Sequence, residues 1–362
     1  MRIAQVSPLW ESVPPQLYGG TERIVSYLTE ELVRLGCDVT LFASGDSMTS
    51  ARLEPICDRA LRLNRGIFNR DAPLTMLMER ALGQSGEFDI IHSHLDFMGF
   101  PLSRRNPTPT VATCHGRLDL PELQPVFREY VEMPIVSISD AQRKPVSWAN
   151  WQATVYHGLP DGLYGFQPNQ GKYLAFLGRI APEKRPDHAI EIAKRVGIPL
   201  RIAAKVDPMD REYFYSEIEP LLSHPLVEYL GEITDAEKNE FLGQAMALIC
   251  PYDWPEPFGL VLIEALACGT PVLAYRRGSI PEIIEDNVTG FVCEGIDSMA
   301  TAVRRVSELD RRRCRQSFEQ RFTVSRMARD YLRVYQQLLV NTREMDSRIN
   351  GYSSWPSLTA SA

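Results

Sequence analysis

Two glutamates with seven residues between them, Glu256 and Glu264 in PEPFGLVLIEALACGTP (255–271), stand where side-chain type and spacing best suit chemistry. Pro255 and Pro257 fix φ, and the proline after Glu256 disfavours helical backbone there, so this carboxylate is expected in an extended loop. Gly259 to Cys268 reads as a short apolar helix stopped by Gly269 and Pro271, with Glu264 its only charge. Glu264 is expected to point back toward the helix's open N-terminus, where Glu256 and free backbone N–H groups converge. Paired carboxylates elsewhere suggest a general acid and base. Two cations alter that reading. Arg179 and Lys184 share the loop LGRIAPEKRP, and cations beside a helix N-terminus make a diphosphate clamp without a metal ion. Gly19 and Gly20 in LYGGTER permit close backbone approach ahead of a helix whose positive end suits an anion. The strand run TVATCHG delivers His115, and no Asp-x-Asp pair stands at a strand end, so nothing in the sequence calls for a divalent cation. Each feature alone has a plainer reading: a glycine turn, a core histidine, solvated cations, helix-capping carboxylates. They gain weight together because all of them follow strands.

Positioning these residues requires strands that alternate with helices, and the pattern occurs twice. The first half offers strands at 3–7, 38–44, 89–94, 110–116, 134–139 and 154–158; the second at 173–179, 199–206, 226–231, 247–252, 271–278 and 290–294. Such alternation predicts parallel sheets covered on both faces, an α/β class with two doubly wound domains. Ligands of open α/β sheets bind beyond the C-terminal strand ends, where the chosen residues fall. Glycine, proline and polar residues cluster in GLPDGLYGFQPNQG (158–171) and mark a linker. Residues 299–320 and 324–343 read as helical, and SSWPSLTASA as a disordered tail.

Composition bounds the function classes. The chain has 362 residues, 44% hydrophobic and 23% charged, as two soluble domains of ordinary size require. Its net charge of −7 argues against a nucleic-acid binder. No apolar run approaches membrane-spanning length, MRIAQVSP does not resemble a signal peptide, and seven scattered cysteines suit reduced thiols in a cytoplasm. ICDRALRLNRGIFNR (56–70) interleaves Arg59, Arg62, Arg65 and Arg70 with apolar residues. It reads either as a solvated helix or acceptor loop, or as a peripheral contact with an anionic membrane. The arginines at 304, 305, 311, 312, 313 and 315 carry the same two readings.

GRIAPEKRP, EPFGLVLIEALACGTPV and RRGSIPEIIEDNVTGFV resemble the C-terminal domain of the family-four retaining glycosyltransferases of GT-B fold. YGGTERIVSYLTEELVRLGCDVTLFASGDS and HGRLDLPE resemble the N-terminal domain of a bacterial branch of that family, so the similarity spans residues 1 to about 340. The resemblance implies two Rossmann-like domains facing a central cleft. An acceptor-binding domain would cover 1–160, a linker 161–171, a nucleotide-sugar domain 172–322, a helix crossing back to the first domain 323–345, and a tail 346–362.

Residue by residue, the resemblance implies that Arg179 and Lys184 bind the donor diphosphate, Glu264 the ribose hydroxyls, and Glu256 the donor sugar, aided by backbone N–H groups around Phe258, Gly259 and Leu260. Gly19 and Gly20 would approach the diphosphate from the other domain, His115 would lie beside the reacting sugar, and Gly231 to Ile233 would contact the base. Arg185 departs from the pattern, standing where many relatives have glycine. The implied activity is metal-independent, retaining transfer of a sugar from a UDP-, GDP- or ADP-type donor to a carbohydrate or small-molecule acceptor. A sugar-nucleotide epimerase or phosphorylase of the same fold, and a silent sugar-nucleotide binder, remain alternatives.

Overall fold

The computed structural model describes residues 1–352 except Arg65. Seven short strands form the first sheet: β1 (Arg2–Val6), β2 (Asp38–Ala43), β3 (Arg52–Pro55), β4 (Ile90–Ser93), β5 (Thr110–Thr113), β6 (Ile135–Ser137) and β7 (Trp151–Thr154). Six form the second: β8 (Tyr173–Arg179), β9 (Leu200–Lys205), β10 (Val227–Gly231), β11 (Ala245–Cys250), β12 (Val272–Tyr275) and β13 (Gly290–Cys293). Their central strands are buried along nearly their whole length, as strands covered on both faces must be. The sheet orders are β3-β2-β1-β4-β5-β6-β7 and β10-β9-β8-β11-β12-β13, with Ile3 level with both Val39 and Ile90, and Leu174 level with Leu200, in parallel register. In each sheet the order reverses beside its first strand, so the crevice for a ligand opens at the C-terminal ends of β1 and β8.

Three expectations need correction. β3 was not anticipated, because RLEP alternates charge with apolar residues at a half-exposed sheet edge and carries a proline at its end. The last strand of the first sheet is Trp151–Thr154, not 154–158; Tyr156 and His157 leave the sheet and turn their rings toward Phe258 in the other domain. The C-terminal helix runs from Val324 to Tyr352, past the expected end at 345, because no proline or glycine interrupts it before Gly351. Of the expected tail, 353–362 lies outside the described residues.

The C-terminal helix does not pack on the domain that precedes it. Met327, Ala328, Tyr331, Tyr335 and Leu338 pack against Ile3, Ile24, Leu28, Ile90 and Val136 of the first sheet and its neighbouring helix. The crossing is pinned where Leu159 N donates to Phe322 O (2.9 Å) and Val324 N donates to Leu159 O (2.8 Å). The linker is tied down by arginines from the basic run. Arg311 donates to the carbonyls of Gln167, Ala245 and Gly243, and Arg315 to those of Tyr164 and Ala267. Those two charges therefore serve packing. The 56–70 segment forms turns rather than a helix among its described residues, with Arg62 paired to Glu11 (2.8 Å) and Arg70 over the Trp10 ring (5.6 Å). No helix among the described residues is long and apolar enough to cross a membrane, and the cysteines are unpaired.

Candidate functional site

A cleft of about 500 Å³ lies between the two sets of strand ends, lined from the first domain by Glu11, Gly19, Gly20, Arg62 and His115, and from the second by Arg179, Lys184, Glu256, Phe258, Gly259 and Leu260. A side pocket of about 110 Å³ shares Gly19, Gly20 and Leu260 with it and adds Arg23, Glu232, Ile233, Lys238 and Glu264. The expected site residues thus occupy two connected spaces. Gly231 is the exception: it ends β10 with φ +73° and turns the chain, while Glu232 and Ile233 after it line the pocket.

Backbone geometry explains how Glu256 is held. Gly259 adopts φ +86°, which starts the Leu260–Cys268 helix from a left-handed residue. Gly278, at φ +52°, brings the following loop so close that an added Cβ would stand 2.3 Å from the Glu256 carbonyl oxygen, and Ser279 N donates to that oxygen (2.9 Å). Glu256 is 7% exposed, and its carboxylate is ion-paired to Lys184 and accepts from the Trp254 indole N–H (3.0 Å). Lys184 Nζ also lies 4.0 Å from the Tyr252 ring centroid and 4.7 Å from that of Trp254. Among the described residues the amides of Phe258, Gly259 and Leu260 have no protein acceptor, so the helix start presents free donors beside these cations.

Arg179, at the end of β8, donates to Glu183 (2.5 Å) and Asp210 (2.9 Å). Both expected clamp cations are therefore already balanced by carboxylates. Arg185, at φ +51°, turns away to Asp187 (2.7 Å) and takes no part in the cleft. Gly20 faces Leu260 across the cleft, an added Cβ standing 3.5 Å from Leu260 Cδ1.

Glu264 does not converge with Glu256. One turn into its helix it faces sideways, and its Oε1 accepts from Lys238 Nζ (3.2 Å) on the Asp235–Gly243 helix. Its Oε2 is buried and has no partner among the described residues. Burial pulls the Lys238 ammonium down, but Glu264 and Asp235 outweigh it and leave the pKa raised, so this lysine is charged at neutral pH. Lys238 and Arg23, which pairs with Asp235 across the domains, were missed from sequence; no motif marks them.

His115 lies at the end of β5, its backbone N–H donating to Asp96 Oδ1 (2.7 Å) and its ring stacked on His157 at 5.3 Å. Its Nε2 lies 2.9 Å from His94 Nδ1. Burial pushes its pKa down to about 3, so the ring is neutral at physiological pH. His94 and its partners were also missed, since β4 reads as an ordinary buried strand.

Residues 18–176 match the model of Glycosyltransferase Family 4, and residues 166–321 match that of Glycosyl transferases group 1. Among curated proteins, D-inositol 3-phosphate glycosyltransferase of Mycolicibacterium smegmatis is 26% identical, over 77% of this chain and 76% of its own. Phosphatidyl-myo-inositol mannosyltransferase of the same organism is 26% identical, over 86% of each chain. Among solved structures, sucrose-phosphate synthase from Thermosynechococcus elongatus superposes with a TM-score of 0.75 at 19% identity, over 94% of this chain and 100% of that one. Anabaena HepE in complex with UDP and glucose gives 0.72 at 19% identity, over 93% and 100%. These superpositions establish the expected GT-B architecture.

Proposed function

The chain belongs to the glycosyltransferases of group 1 and family four, and from that premise we propose that it transfers a sugar, with retained configuration and without a metal ion, from a nucleoside diphosphate to an acceptor held by the first domain. The observation that carries this reading is the buried, unpartnered Oε2 of Glu264, in a pocket that opens beside Arg179, Lys184 and Glu256. A lone carboxylate oxygen in such a place is costly unless a ligand hydroxyl donates to it. A ribose supplies that hydroxyl and places its diphosphate at the clamp. Ile233 then stands near the base, and Glu256 with the amides of Phe258 to Leu260 near the sugar.

In the reaction the bond from the anomeric carbon to the diphosphate oxygen breaks and its electron pair stays on phosphate. Arg179, Lys184 and the helix-start amides stabilise that charge. The acceptor oxygen bonds to the same face of the sugar, and its proton passes to the departing phosphate. HepE, solved with UDP and glucose, supports a nucleotide-sugar donor of this kind. Unpaired cysteines suit action in a cytoplasm. Any peripheral bilayer contact falls to the 56–70 segment, where Leu63 and Phe68 are exposed among its arginines, and would show as salt-sensitive sedimentation with anionic vesicles.

The direct test mixes the protein with UDP-, GDP- and ADP-sugars and candidate acceptors, with and without EDTA. Acceptor-dependent release of nucleoside diphosphate, undiminished by EDTA and giving a product of unchanged anomeric configuration, is expected. Release that does not depend on an acceptor would reject transfer in favour of hydrolysis, and conversion of the donor without release would point to an epimerase.

A further inference from the structure

Behind His115 runs a continuous file of buried hydrogen bonds that ends on the C-terminal helix. His115 Nε2 meets His94 Nδ1 (2.9 Å), and His94 Nε2 meets Gln5 Oε1 (2.8 Å). Gln5 Nε2 donates to Tyr335 OH (3.2 Å), which lies 2.7 Å from His92 Nδ1; His92 Nε2 lies 2.7 Å from Thr113 Oγ1, and Thr113 Oγ1 3.0 Å from Tyr331 OH. Gln5, His92, His94, Thr113, Tyr331 and Tyr335 are all at most 1% exposed, so no water competes for the contacts among them, while His115 at the cleft end is half-buried.

The chemistry of each group then orders the next. The carbonyl oxygen of Gln5 only accepts, so His94 carries its proton on Nε2. A neutral His94 presents Nδ1 as an acceptor, which requires a proton on His115 Nε2 and leaves His115 Nδ1 with a lone pair. In the other direction the Gln5 amide donates to Tyr335, Tyr335 to His92, His92 to Thr113, and Thr113 to Tyr331, so Gln5, His94, Tyr335, His92 and Thr113 each give a proton and receive one, and Tyr331 closes the file as an acceptor. Burial pushes the pKa of both His92 and His94 far down, which keeps the file uncharged.

We infer that Gln5, held by Tyr335 of the crossing helix, sets His115 in a single neutral tautomer with the proton on Nε2, so that Nδ1 accepts a hydrogen bond from a hydroxyl of the bound substrate. Gln5, His94 and Tyr335 are positioning residues for this reaction. The catalytic half of the inference rests on the transferase reading above; the tautomer itself does not.

The test is nitrogen NMR of the full chain labelled at histidine, with the His115 resonances assigned by their loss in His115→Gln. Wild-type protein without substrate should show His115 protonated on Nε2 and bare on Nδ1. Gln5→Leu removes the acceptor opposite His94 and should give a mixture of tautomers, as should Tyr335→Phe, which lacks only a hydroxyl. Gln5→Glu offers an acceptor to His94 in either protonation state and should restore the single form. In acceptor-dependent turnover, kcat of Gln5→Leu and Tyr335→Phe should fall about 10- to 100-fold with donor KM unchanged, and Gln5→Glu should recover. A wild-type His115 protonated on Nδ1, variants that keep one tautomer, or mixed tautomers with undiminished kcat would each overturn the inference. The expected spectrum in a protein that transfers no sugar to any acceptor would instead overturn the transferase reading, leaving the hydrogen-bond file in place.

Discussion

Lys184 and Glu256 neutralise each other in a cleft that has to admit a diphosphate, so binding must draw the ammonium from the carboxylate toward the ligand. Replacing Lys184 by Met should lower turnover about 10²-fold or more, because the charge developing on the leaving phosphate loses a fixed cation. It should also destabilise the free protein by about 3 kcal/mol, since Glu256, 7% exposed, would keep only the Trp254 indole. Adding Glu256→Gln to that variant should recover most of the stability and none of the turnover. Denaturant midpoints and kcat check both; a Lys184→Met protein as stable as wild type would show that the pair is already relaxed. Each member is visible in the sequence by its type and loop, but their pairing is not. The two lie 72 residues apart on different strand ends, and neither periodicity nor spacing encodes such a contact.

The Leu260–Cys268 helix depends on its entry residue. Gly259 at φ +86° sets the angle at which the helix leaves the loop, and an added Cβ would stand 3.0 Å from Leu262 Cδ1 and 3.4 Å from Glu256 Cγ. Gly259→Ala should therefore cost about 1–2 kcal/mol of stability and, by displacing Glu256, lower kcat more than the stability loss alone explains. A denaturation curve at unchanged slope beside steady-state kinetics separates the two effects; unchanged kinetics would mean that the loop absorbs the methyl group. Most central strands are legible because apolar runs and turn residues bound them. The edges β3 and β7 are not: half-exposed strands carry mixed residues, and Tyr156 and His157 look like strand residues while serving the interface. The free carboxylate oxygen of Glu264 was likewise beyond reach, because the side chain's direction depends on where the Asp235–Gly243 helix lies.

At the scale of the whole molecule, the domains are joined by hydrogen bonds as well as by the linker. Asp140 N (2.8 Å) and Ala141 N (2.6 Å) donate to Glu282, Tyr18 N donates to Glu232 (3.1 Å), and the C-terminal helix returns to the first sheet. His92, His94 and His157 are buried and His115 is half-buried, all four with lowered pKa values, His115 at about 3. Below the ordinary histidine pKa of about 6.5 the unfolded chain takes up protons that the fold refuses, so stability present above that pH is lost as pH falls. Glu22, raised to about 7 by burial, acts in the opposite sense between its unfolded value and pH 7, as do the carboxyls of Glu11, Asp96 and Asp210, also raised by burial, while His188, lowered by burial, adds to the histidine side. The melting temperature should therefore drop markedly between pH 7 and pH 5, with net proton uptake on unfolding. A flat profile would mean that the histidines are charged in the fold. The two-domain plan was open to sequence reasoning because both halves repeat the strand–helix alternation; the histidine file was not, since its members come from four distant segments.

The most direct measurement is thermal unfolding of the wild-type protein and of Glu264→Ala against a panel of nucleoside diphosphates and their sugars. At a hundred times its dissociation constant, the right donor should stabilise the wild type by about 2.7 kcal/mol, and Glu264→Ala should fold normally yet lose most of that gain. A wild type that responds to no member of the panel, or a Glu264→Ala protein that responds equally well, would contradict a ribose site in the pocket of Glu264 and Ile233.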